Sequence, residues 1–139
     1  MNDYTYEELE VGHKEFFEVI ITQETMNNFL RITNDVNPLH NNLEYAKSCG
    51  HEDKVVFGML SASYLSTLCG VYLPGKKSLI HSVESKFLKP VFVKDSPLIV
   101  SGEVIDKNDL FRLLTLKVEI KNNKSEKVLK GKMKVGVLE

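Results

Sequence analysis

Cysteine is scarce in this chain of 139 residues, and the two present, Cys49 and Cys69, have no second pair beside them. That excludes a disulfide framework and a cysteine metal site, and both thiols are expected to be reduced and partly buried. An excess of one charge is also absent, since eighteen basic residues against nineteen acidic ones leave a net charge of −1. No bulk field would hold the protein on nucleic acid or an anionic membrane, so neither is expected as a partner. No apolar run reaches the ~18 residues needed to span a bilayer. The N-terminal MNDYTYEELEVG is acidic where a signal peptide would be basic and then apolar. A cytoplasmic location is expected. Internal repeats, low-complexity stretches and an interdomain linker are missing, and 42% hydrophobic with 27% charged residues is the balance of an ordinary folded chain. One domain over residues 1–139 is the simplest organisation, and a chain near this size buries roughly 68–70% of its unfolded surface.

The elements follow from periodicity. Residues 1–12 carry Tyr4, Tyr6 and Leu9 among acids and read as an irregular, packed lead-in. KEFFEVII, residues 14–21, is rich in aromatic and β-branched types and predicts a strand. Thr22 offers an N-cap hydroxyl, Glu24 suits the positive end of a helix, and Met26, Phe29 and Leu30 recur at helical spacing, predicting a helix over 23–32. Asn34 tolerates a left-handed backbone and Pro38 drives Asn37 away from helical geometry, so residues 33–41 read as a structured loop. Asn42 can cap a second short helix, LEYAKSC, that stops at Gly50.

From Gly58 to about Val71 the sequence GMLSASYLSTLCGV carries no charge on any face, and its polar members are small hydroxyls able to bond their own backbone. Such a helix, about 20 Å long, should be enclosed. The period then changes to two over 78–88, 97–106, 110–121 and 126–138, with polar links at 106–109 and 122–125 that suit antiparallel hairpins. A flat sheet covers one side of a helix, so an uncharged helix needs strands curled round it, a second subunit, or both. The expected fold is α+β: a "hot dog", an antiparallel β-sheet wrapped around a long central α-helix.

The stretch from Thr33 to Gly75 resembles the MaoC-like dehydratases and (R)-specific enoyl-CoA hydratases. The resemblance rests on Thr33-Asn34-Asp35, Asn37-Pro38-Leu39-His40, Ala46, Gly58-Met59-Leu60, Ala62-Ser63, Ser66 and Leu73-Pro74-Gly75. It continues through Phe87-Leu88-Lys89-Pro90-Val91, Asp95 and Glu103-Val104, covering roughly residues 19–106. It implies a homodimer with its active site near the subunit interface. It also implies reversible syn addition of water to a trans-2-enoyl thioester, giving an (R)-3-hydroxyacyl thioester of coenzyme A or acyl carrier protein, with no further cofactor. A His40/His51 pair lacks the close spacing and extra ligands of a metal site, so no metal is expected. By match to the motif, Asp35 and His40 activate the water and move the proton, and the Gly58 backbone amide receives the negative charge on the thioester oxygen. Asn37, Ser66, Phe57 and Met59 are the expected substrate-binding positions. Asn34 stands for the usual glycine, Asn42 for a common aspartate, and Phe57 for a histidine often found before glycine-methionine.

Two other activities share this scaffold: a thioesterase and a noncatalytic acyl-thioester-binding subunit. His13, His51 and His81 read as surface or strand histidines, and Lys76, Lys77, Lys86, Lys89 and Lys94 as exposed charges.

Overall fold

Strands β1 (Lys14–Val19), β2 (Ser78–Phe87), β3 (Leu98–Asn108), β4 (Leu113–Lys121) and β5 (Lys127–Val137) make one antiparallel sheet in the order β1-β3-β4-β5-β2. The structure, a computed structural model, describes residues 1–139. On β4 the alternation of the sequence becomes the two faces of the sheet, with Leu114, Leu116, Val118 and Ile120 fully buried and Lys117 exposed. Antiparallel hairpins join β3 to β4 and β4 to β5 as expected, but the first turn falls at 109–112 and not 106–109, because Asp106, Lys107 and Asn108 still pair with Thr115, Leu114 and Leu113. The β2–β3 connection is different, because residues 88–97 carry the chain from one edge of the sheet to the strand beside the other edge. Its apolar residues, Val91 above all, pack back onto the core on the way.

The central helix α4 (Gly58–Thr67) packs into the core shared with the sheet and continues as a wider π-helical turn, Leu68–Tyr72. Leu60, Leu65, Leu68 and Cys69 are buried against the sheet. Close approach depends on small residues in the strands. A Cβ on Gly102 would stand 2.9 Å from a methyl of Leu68, and one on Gly131 would stand 1.8 Å from the Glu84 carbonyl oxygen. The helix is not enclosed by its own chain, because Met59, Ser63 and Ser66 are exposed. Strand β2 at the sheet edge likewise leaves Leu79, Val83 and Phe87 about half exposed. One sheet of this width covers one side of the helix, so the enclosure expected from the uncharged sequence is incomplete within one chain.

Three helices precede α4: α1 (Gln23–Thr33), α2 (Pro38–Asn41) and α3 (Leu43–Ser48). Thr22 caps α1 through the Thr25 amide, and Asn42 caps α3 through the Tyr45 amide. The stretch 33–41 is not all loop. Pro38 at the first helical position, with the Asn37 side chain accepting from the Leu39 amide, nucleates one turn of helix. The lead-in packs through buried Tyr6 and Leu9 and pairs Asp3 with Gly75. Cys69 is buried as expected, but Cys49 is exposed, because it caps the last turn of α3 on the surface. No helix is long and apolar enough to cross a membrane.

Candidate active site

The loop after α1 is shaped by its own short polar side chains. Asn34 ends the helix in a left-handed conformation (φ 57°, ψ 26°), its amide donating to the Leu30 carbonyl. The Thr33 hydroxyl donates back to the Phe29 carbonyl at 2.8 Å and accepts from the Asp35 amide at 3.2 Å. Asp35 Oδ1 in turn accepts from the Asn37 amide at 3.2 Å, and Asn37 Oδ1 caps α2. These local bonds turn the chain so that His40 falls in the single turn of α2.

His40 is held from two sides. Its Nδ1 lies 2.7 Å from the Val55 carbonyl oxygen. A carbonyl only accepts, so Nδ1 carries the hydrogen and Nε2 of the neutral ring keeps its lone pair. The Val55 amide bonds the Leu39 carbonyl and the Val56 amide bonds the Val91 carbonyl, which pins this extended segment beside α2. The ring of Phe57 stacks on the imidazole, with centroids 4.2 Å apart, and leans on Phe29 of α1 at 4.9 Å.

Phe57 is also the N-cap of α4 and offers no side-chain cap. The amide of Gly58, the first helical residue, finds no acceptor in the chain. Unpaired amides at a helix start, with the dipole behind them, favour negative charge. His40 and Gly58 share a cavity of about 350 Å³. Its walls are apolar, built by Leu39, Val55, Val56, Phe87, Val91 and Leu129, with Lys89 at the rim paired to Glu126. Inside it, Ser61 is buried and its hydroxyl has no partner, whereas Ser63, two residues on, donates to the Leu60 carbonyl at 2.6 Å. An unsatisfied buried hydroxyl costs about 1–3 kcal/mol.

Of the residues singled out from sequence, the cavity brings together His40 and Gly58. Asp35 and Asn37 are exposed on the loop outside the cavity wall, and Met59 and Ser66 lie on the open face of α4. Phe57 is buried behind His40 and does not line the cavity. Three lining residues had no functional reading in the sequence. Ser61 is one of four small hydroxyl residues on an uncharged helix, and His51 reads as a surface or strand histidine. Phe87 ends a strand and is visible only as part of the Phe87–Val91 run. No three His, Cys, Asp or Glu side chains converge in a way that could hold a metal ion.

A family model described as the MaoC-like domain matches residues 10–128. The (R)-specific enoyl-CoA hydratase of Aeromonas caviae is 38% identical over 96 residues, 69% of each chain. The (R)-specific enoyl-CoA hydratase of Rhodospirillum rubrum is 29% identical over 105 residues, 73% of each. Among solved structures, the A. caviae (R)-hydratase involved in PHA biosynthesis superimposes with a TM-score of 0.88 at 31% identity, covering 93% of this chain and 97% of that one.

Proposed function

The chain belongs to the MaoC-like domain family, and from that membership and the cavity we propose that it is a hydro-lyase of the (R)-specific enoyl-CoA hydratase type. It adds water across the 2,3 double bond of a trans-2-enoyl thioester of coenzyme A and removes it in reverse. Water oxygen bonds to C3, the C2–C3 electron pair moves to the thioester as an enolate, and a proton is delivered to C2. His40 and Asp35 hold and deprotonate the water and return the proton. The Gly58 amide receives the enolate oxygen.

One geometry supports this reading above all: a histidine whose Nδ1 is committed to Val55 lines the same apolar cavity as an unpaired helix-start amide. A base and an anion-stabilising donor are the two groups the reaction demands. The chemistry needs no redox or electrophilic cofactor, and we assign none. The homodimer proposed here would cover the open face of α4 and the apolar side of β2. A cytoplasmic setting suits the two unpaired thiols.

The test is turnover. Purified protein mixed with crotonyl-CoA should bleach the conjugated enoyl absorbance and yield the (R)-3-hydroxy product. Asp35→Asn keeps the oxygen that accepts from Asn37, and His40→Ala keeps the backbone of α2. Each should fold and each should lose about 10²–10⁴ in rate. No hydration of short or medium enoyl thioesters on either carrier overturns the reading, and release of free thiol in its place would point to a thioesterase.

A further inference from the structure

Ser61 stands three residues after Gly58 on α4, is only 3% exposed, and its Oγ has no hydrogen-bond partner. Buried hydroxyls are seldom left without a partner, and those that are call for a physical reason. A serine in a helix has an easy remedy, the carbonyl one turn back, which Ser63 uses. Ser61 leaves it unused.

Helical side chains tilt toward the N-terminus, and residues three apart share a face, so the Ser61 side chain hangs over the turn that begins with Gly58. Both residues line the same cavity. Phe87 closes over this spot, since a Cβ on Gly58 would meet its ring at 3.2 Å. Apolar walls strengthen any hydrogen bond made there.

We propose that Ser61 is a second oxyanion donor: its hydroxyl joins the Gly58 amide on the thioester oxygen as the enolate forms. The proposal rests on the hydratase reading above. The donor gives a hydrogen bond and keeps its proton, so it ends each turnover unchanged while the electron pair returns to C2 with the incoming proton. Rotation about the Cα–Cβ bond re-aims the buried Oγ without moving the helix. A buried hydroxyl with no partner in the chain is then a donor held ready for the substrate oxygen.

Ser61→Ala should lose about 10²-fold in kcat with KM changed far less, because the bond strengthens only as charge collects on oxygen. Its urea midpoint should match or exceed that of the parent, since no folded-state bond is lost. Ser61→Cys, of similar size and with a weak S–H donor, should fall between the two. A bound dimethylaminocinnamoyl-CoA reports carbonyl polarisation directly, and its red shift should shrink in Ser61→Ala. Unchanged kcat and unchanged red shift in Ser61→Ala overturn the proposal, as does a loss confined to KM. Absence of turnover in the parent protein would instead sink the hydratase reading, and the red-shift comparison would still decide Ser61.

Discussion

The imidazole of His40 lies on the ring of Phe57, centroids 4.2 Å apart and planes 29° from parallel. Phe57, the residue before Gly58, thus backs the cavity histidine and does not line the cavity itself. Phe29 braces Phe57 from behind. An aromatic column therefore runs from α1 to His40 and fixes the ring plane, while Val55 fixes its rotation.

Phe57→Leu keeps an apolar filler but removes both ring contacts. Aromatic pairs contribute ~0.5–1.5 kcal/mol each beyond burial, so a loss of about 1–3 kcal/mol in urea unfolding is expected. A freer imidazole should lower kcat about tenfold with little change in KM, since misplaced acid–base groups lose part of their ~10²–10⁴ contribution. Equal kcat in the variant would show that Val55 alone suffices to orient His40.

Strand β2 is ten residues long at the sheet edge, with Val83 49% and Phe87 52% exposed. Long apolar edges invite a second chain. Sedimentation should show the parent protein as a dimer, and Val83→Lys should shift it toward monomer and reduce activity with it. A parent that sediments as a monomer at micromolar concentration contradicts the expected assembly.

Tyr6 ties the lead-in to the β3–β4 hairpin. Its hydroxyl donates to Asp109 at 2.6 Å and the Lys107 ammonium sits 4.2 Å from its ring centre. Burial, and then the Asp109 carboxylate, push its ionisation from the usual 10 up to about 12. The folded state holds the proton more tightly than the unfolded chain, so this contribution to stability is complete below pH about 10 and is lost as the pH climbs through 12. Burial likewise raises Cys69 from 9 to about 12, adding a loss that begins nearer pH 9. Urea midpoints measured from pH 8 to 12 should fall across that window. Tyr6→Phe should remove part of the slope while costing ~1 kcal/mol at neutral pH for the lost hydrogen bond. An unchanged slope in Tyr6→Phe would place the alkaline loss elsewhere.

The two thiols should separate in a labelling experiment. Cys49 is exposed, while Cys69 is buried with its Sγ 3.8 Å from the Met133 sulfur. Its raised ionisation leaves little thiolate at pH 8. A chromogenic disulfide reagent should titrate one thiol quickly in the native protein and two in denaturant. Two fast thiols under native conditions would contradict the packing of the π-helical turn.

Much of the fold was legible because the signals are local. Alternation on β4, the Thr22 and Asn42 caps and the left-handed Asn34 each depend on a few neighbouring residues, and each is found where the spacing puts it. The short helix at 38–41 is not legible in the structured loop expected over 33–41, because a proline that keeps Asn37 out of helical geometry can equally start a helix at its own position. The exposure of Cys49 was missed because its burial depends on which face of α3 meets the core.

The sequence by itself determined the α+β class, the uncharged central helix and the motif holding Asp35, His40 and Gly58, because side-chain period, capping chemistry and short motifs are properties of adjacent residues. Only the tertiary structure decided that Phe57 stands behind His40. It alone decided that Ser61, of the hydroxyls on α4, is the one left unpartnered in the cavity. It also decided that one face of the helix stays open. Those outcomes depend on which strands pass over which turn of the helix. Contacts between separate elements are set by packing of the whole sheet, and no local pattern encodes them.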